Sequence, residues 1–93
     1  MNLGTIMFID SYPKLDLHGY DRETASIAVN DFIRDSKKMK NEIVVIVHGI
    51  GSGIVKEAVY QTLKKNKSVI DYKTSYYNNG CTLVRIQFDK KKV

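Results

Sequence analysis

Ninety-three residues, 43% hydrophobic and 27% charged, suit a single small soluble domain with one core and leave no length for a second. Fifteen lysines and arginines against ten acids give a net charge of +5, which favours polyanionic partners such as nucleic acid or the ribosome. No apolar run approaches the about 20 residues of a membrane span, so no membrane partner is expected. The start Met1-Asn2-Leu3-Gly4 lacks a secretory signal, and the lone Cys81 can close no internal disulfide or cysteine metal cluster; a cytoplasmic setting is expected.

Residues 1–13, with Ile6, Met7, Phe8 and Ile9, read as an N-terminal arm over an apolar surface or as an edge strand, closed off by Pro13. A domain over residues 14–88 follows, and then a basic tail, 89–93. Leu15 to His18 form a short strand. Asp21 is an N-cap, after which Ala25, Ala28, Val29, Phe32 and Ile33 make one helical stripe that fades by Lys38 to Asn41. Ile43-Val44-Val45-Ile46-Val47 shows no polar alternation and marks a central or doubly buried strand. Val55, Ala58, Val59, Thr62 and Leu63 describe a second helix. Ile70, Tyr72, Thr74 and Tyr76 then alternate with polar neighbours, as do Thr82, Val84, Ile86 and Phe88, with Asn79-Gly80 between them as a hairpin signal. Cys81 reads as a small half-buried strand residue.

The predicted fold class is therefore α/β: a two-layer sandwich, β-α-β-α-β-β, with two helices against a mixed sheet. Lys37, Lys38 and Lys40, and again Lys64, Lys65 and Lys67, fall where the helices end and oppose their dipoles. Lys90, Lys91 and Lys92 have no such role and read as a solvated, phosphate-seeking extension. Tyr72, Tyr76 and Tyr77 could stack on bases, although aromatics on small sheets are more often core or surface cover.

Both histidines end a strand-like run and precede glycine, as Leu15-Asp16-Leu17-His18-Gly19 and Val45-Ile46-Val47-His48-Gly49. If those strands are parallel neighbours, both imidazoles emerge at the sheet edge where α/β folds place their sites. Either histidine alone could be a hydrogen-bonded structural residue; the repetition favours a site. Asp16, two residues before His18, could fix its tautomer, stabilise its charge or hold a metal. As metal ligands, Asp16, His18 and His48 are a weak set, dispersed over two segments.

His48-Gly49-Ile50-Gly51-Ser52-Gly53 joins the buried strand to the second helix. Gly49, Gly51 and Gly53 let backbone N–H groups approach an anion, and the start of the helix favours phosphate there. Lys56, in the first turn, could reach the same anion, and Ser52 either caps the helix or contacts phosphate. The spacing fits neither a dinucleotide fingerprint nor a P-loop. A plain connection needing positive φ is the structural alternative.

Leu15-Asp16-Leu17-His18-Gly19, a helix opening with Glu23-Thr24-Ala25, the His48–Gly53 run and Asn79-Gly80-Cys81-Thr82 together resemble the Smr (small MutS-related) domain family, here standing alone. The resemblance covers about Lys14 to Phe88. It implies a fold similar to the C-terminal domain of translation initiation factor three, and nicking or endonuclease activity on DNA or RNA in several members. It places the functional weight on Asp16 and His18 and on His48, Gly49, Gly51 and Gly53. Where the family commonly has a leucine-arginine pair, this chain has Val55-Lys56, which keeps the charge but loses the bidentate fork.

The expected function is phosphodiester cleavage, with RNA or structured DNA as partner. The glycine loop and Lys56 hold a phosphate, His18 and His48 share acid and base roles, and Asp16 orients His18. On RNA the 2′-hydroxyl can attack without an obligatory cofactor; on DNA a water activated by Mg²⁺ is the more natural route. The alternative is a non-catalytic module binding RNA, ribosome or branched DNA through the same loop.

Overall fold

The computed structural model describes residues 2–88, so the basic tail at 89–93 lies outside the described residues. The elements run β1 (Lys14–Asp16), α1 (Arg22–Lys38), β2 (Ile43–Val47), α2 (Ile54–Lys65), β3 (Val69–Thr74) and β4 (Cys81–Ile86). They form one four-stranded sheet in the order β1-β2-β4-β3. β1 and β2 are parallel, and β4 runs antiparallel to both β2 and β3. This is the expected two-helix α/β arrangement with a mixed sheet.

α1 starts where Asp21 accepts the Thr24 N–H at 2.8 Å while the Thr24 hydroxyl accepts the Asp21 N–H at 3.2 Å. That reciprocal pair satisfies two donors that a helix start otherwise leaves open. Ala25, Val29 and Ile33 are buried at four-residue spacing, with Ala28 and Phe32 packed along the margin. The helix stops at Lys38: the Asn41 N–H reaches back to the Ser36 carbonyl, and Lys40 sits between them at φ 62°. Lys37 and Lys38, and Lys64 and Lys65, occupy the last helical turns, where they favourably oppose the dipoles.

Val44, Ile46, Val84 and Ile86 meet Val29, Ile33, Val59 and Leu63 of the helices in the main core. The opposite face is also covered. The N-terminal segment forms no strand; it folds as two 3-10 turns, Leu3–Thr5 and Ile9–Ser11, and lays Leu3, Ile6, Ile9 and Tyr12 on Val45, Cys81 and Leu83. β4 is therefore buried on both faces and lacks the one-sided alternation expected of it, and Cys81 is buried to 3% exposure. Burial pushes its thiol pKa up.

β3 departs from simple alternation as well. Val69 pairs with Ile86 and Asp71 with Arg85, so Ile70 is the extra residue of a bulge. Ile70 is 56% exposed as a result, while Val69 and Tyr72 pack on the core in its place.

Candidate nucleic-acid site at the sheet edge

The site is built where β1 and β2 end side by side. Asp16 pairs with Val47, and the Leu17 N–H donates to the Val47 carbonyl at 2.9 Å. Both histidines follow within two residues of that pair, just past the strands. His18 stands in the turn after β1, exposed, and so is not itself a strand residue as the alternating pattern suggested. The β3–β4 turn closes on the same edge, because Cys81 pairs with Val47 and the Gly80 carbonyl accepts the N–H groups of His48 at 2.9 Å and Gly49 at 3.0 Å.

Asp16 does not reach the His18 ring. Its Oδ1 accepts the His18 backbone N–H at 2.9 Å, an Asx turn that fixes where the chain leaves β1. No hydrogen bond engages the His18 ring among the described residues, and the imidazole faces solvent.

His48 is held at both ring nitrogens. Nδ1 lies 2.9 Å from the Gly49 carbonyl and Nε2 2.7 Å from the Thr82 hydroxyl. A neutral imidazole satisfies both contacts when Nδ1–H donates to Gly49 and Nε2 accepts from Thr82. Burial lowers the His48 pKa, and the nearby Lys56 charge lowers it further against the raising effect of the Gly49 contact. Behind it, the Thr82 hydroxyl lies 3.4 Å from the Tyr60 hydroxyl, which is hydrogen-bonded to Thr74. The rings of His48 and Tyr60 meet edge to face at 6.5 Å, and Lys56 Nζ lies 5.7 Å from the Tyr60 ring centre. Thr82, Tyr60 and Thr74 were not singled out as site residues from sequence. Tyr60 and Thr74 carry no local signal, and Thr82 enters the sequence reading only as the end of the Asn79–Thr82 motif; the register of Thr82 opposite Ile46, two residues before His48, brings it to the ring.

Gly49 and Gly53 have φ of 81° and 86°, the left-handed region that glycine enters without a Cβ clash. Gly53, not Ser52, is the N-cap of α2, and no side chain caps it. Ser52 Oγ makes only a long 3.4 Å contact with the Ile54 N–H. The helix start thus keeps donors and a positive dipole end for an anion. His48, Gly49, Gly51, Ser52, Gly53 and Lys56 all line a cleft of about 190 Å³ there. Asp16 and His18 are not among its walls; Asp16 ends β1 and His18 stands on the turn that follows. Among the described residues, no three His, Cys, Asp or Glu side chains cluster as metal ligands.

The fold and this pair of motif loops define an Smr domain. The Smr domain family matches residues 15–87, and the chain belongs to it. Its curated relatives include the Endonuclease MutS2 of Aquifex aeolicus, 34% identical over 80 residues, and those of Staphylococcus carnosus, 37% over 67, and Alkaliphilus metalliredigens, 32% over 71. These matches cover 72–83% of this chain but only 9–10% of each relative. Among solved structures, the Smr domain of Thermus thermophilus MutS2 superposes with a TM-score of 0.78 at 20% identity, covering 81% of this chain and 98% of that one. YdaL, a stand-alone small MutS-related protein from Escherichia coli, gives 0.75 at 24% identity, over 80% and 63% of the two chains. No described helix is long and apolar enough to cross a membrane.

Proposed function

We propose that this chain is a phosphodiester endonuclease acting on RNA or structured DNA at the edge where β1 and β2 end. The observation that carries this reading is the uncapped α2 start behind the glycine loop, with Lys56 in the cleft wall and His48 clamped at the root of the loop. Backbone N–H groups and an ammonium converging there suit a phosphate oxygen. Relatives carrying endonuclease names support a nuclease over a purely structural role.

Within that site the two imidazoles divide the work. His18 has the exposed, unengaged ring and takes the proton of the attacking hydroxyl, the 2′-hydroxyl on RNA or water on DNA; as that oxygen bonds to phosphorus, the phosphorus–oxygen bond to the leaving strand breaks and the leaving oxygen takes a proton from solvent. His48, engaged at both nitrogens, holds the loop that binds the phosphate and transfers a proton only if its Gly49 contact opens. This replaces an equal sharing of acid and base roles. Asp16 acts on the backbone of His18 and keeps its turn in place. Among the described residues no three His, Cys, Asp or Glu side chains cluster, and the roles given to His18, His48 and Asp16 need no metal.

The test is incubation of purified protein with labelled single-stranded RNA, duplex DNA and branched DNA, with Mg²⁺ or with EDTA. Cleavage should fall by about a hundred-fold or more in His18→Ala. Products with cyclic phosphate ends that persist in EDTA support attack by the 2′-hydroxyl, and loss of all cleavage in EDTA counts against it. Retention of labelled nucleic acid without any products would identify a binding module instead.

A further inference from the structure

We propose that Tyr76 and Tyr77 form a stacking platform for unpaired bases, so that the substrate taken at this edge is single-stranded or locally unpaired nucleic acid. The inference rests on the nucleic-acid reading of the site and narrows its substrate class. Both rings belong to the β3–β4 turn, which is joined to the glycine loop: Gly80 accepts two N–H groups from His48 and Gly49, and a Cβ built on Gly80 would lie 3.3 Å from the Gly49 Cα. A base stacked on this turn would therefore share the sheet edge with a phosphate held at the cleft.

The turn is held firmly. The Ser75 N–H donates to the Cys81 carbonyl, the buried Ser75 accepts the Tyr77 N–H at 3.1 Å, and Asn78 Oδ1 accepts the Gly80 N–H at 2.9 Å. Tyr76 is pinned to the N-terminal arm, its N–H donating to the Gly4 carbonyl at 2.8 Å and its hydroxyl accepting from Asn2 at 2.7 Å. Even so, Tyr76 remains 64% exposed and Tyr77 60% exposed, and neither belongs to either core cluster. One edge of the Tyr76 ring lies against Gly4, yet two large rings in succession on an ordered turn still leave apolar area in water. Nucleobases present a π-face to such rings whatever their sequence, and Lys56 together with the net charge of +5 draws the backbone to the same edge. Bases inside a duplex are already stacked and cannot use the platform without unpairing.

Tyr77 is the cleaner position to vary, since its side chain makes no hydrogen bond among the described residues and Tyr76 also anchors the arm. Affinities of Tyr77→Ala and wild type are measured with a single-stranded oligonucleotide and with a blunt duplex of the same sequence, at one salt concentration. The chain has no tryptophan, so Tyr77→Trp adds a single fluorophore at the platform. Tyr77→Ala should weaken single-strand binding by about five-fold to a hundred-fold and change duplex binding little, and the emission of Tyr77→Trp should be quenched by the single strand. Wild-type binding with unchanged single-strand affinity in Tyr77→Ala and unquenched emission in Tyr77→Trp would overturn the platform while leaving the site reading intact. Emission that shifts with protein concentration alone would assign the turn to self-association and overturn it too. Failure of the wild type to bind either nucleic acid would overturn the nucleic-acid reading itself.

Discussion

His48 Nε2 lies 2.7 Å from Thr82 Oγ1 across the β2–β4 pair, so a fully buried strand hydroxyl fixes the ring that roots the glycine loop. Thr82→Val keeps the branched shape and removes the partner. The half-buried ring nitrogen then loses its hydrogen bond at a cost of about 1 kcal/mol, read as a lower denaturant midpoint with an unchanged slope. Nucleic-acid binding should fall as well, because the Gly49 carbonyl and His48 move together. Thr82→Ser, which restores the hydroxyl, should recover both.

The lowered His48 pKa has a direction that stability measurements can check. Burial is its main cause, Lys56 adds to it, and the unfolded chain returns to about 6.5. Between the folded value and 6.5 the unfolded state binds more protons, so unfolding free energy rises with pH across that window and is lost as pH falls through the folded value. Urea unfolding from about pH 5 to about pH 8 should show this slope, and His48→Gln should flatten it. In Lys56→Met the imidazole titration followed by NMR should move upward, toward its ordinary value.

Asp16 separates a holding role from a charge role. Its observed bond is to the His18 backbone, which an asparagine oxygen can also accept. Asp16→Asn should therefore unfold within about 0.5 kcal/mol of wild type, while Asp16→Ala should cost about 1 kcal/mol as the turn loses its acceptor. Thermal or urea melts read the difference. Comparison of cleavage in the same two proteins then shows whether the carboxylate charge is also used.

The helices, the hairpin and the buried β2 were legible because each carries a local signal: Ala25, Val29 and Ile33 at helical spacing, Asn79-Gly80 between two strand-like runs, and five apolar residues from Ile43 to Val47 without a break. The placement of the two histidines at one edge also followed, since parallel neighbours end on the same side. What was not legible depends on partners distant in sequence. An arm over an apolar surface was one of two readings of residues 1–13, but which strands it covers was hidden: Leu83 and Cys81 are buried because the N-terminal turns lie on the second sheet face, which a strand read alone does not reveal. The bulge at Ile70 is hidden because Val69 and Ile70 are both apolar, and either could open the alternation. The His48–Thr82–Tyr60 chain needs the β2–β4 register and the packing of α2 at once.

The three loop glycines should respond differently to alanine. Gly53 has φ 86° and serves as the N-cap of α2, so Gly53→Ala strains the backbone by about 1 kcal/mol and lowers stability. Gly49, at φ 81° with its carbonyl engaged by His48, should behave in the same way. Gly51 is different: it is not among the positive-φ glycines, and a Cβ there would meet nothing within 4 Å. The fold gives no reason for glycine at that position, yet it lines the cleft at the uncapped helix start, where an approaching phosphate would meet the added methyl. Gly51→Ala should therefore melt at or slightly above the wild-type temperature while its affinity for single-stranded oligonucleotide drops, by fluorescence anisotropy at fixed salt. Unchanged affinity in Gly51→Ala, at unchanged stability, would remove the glycine loop from the phosphate site.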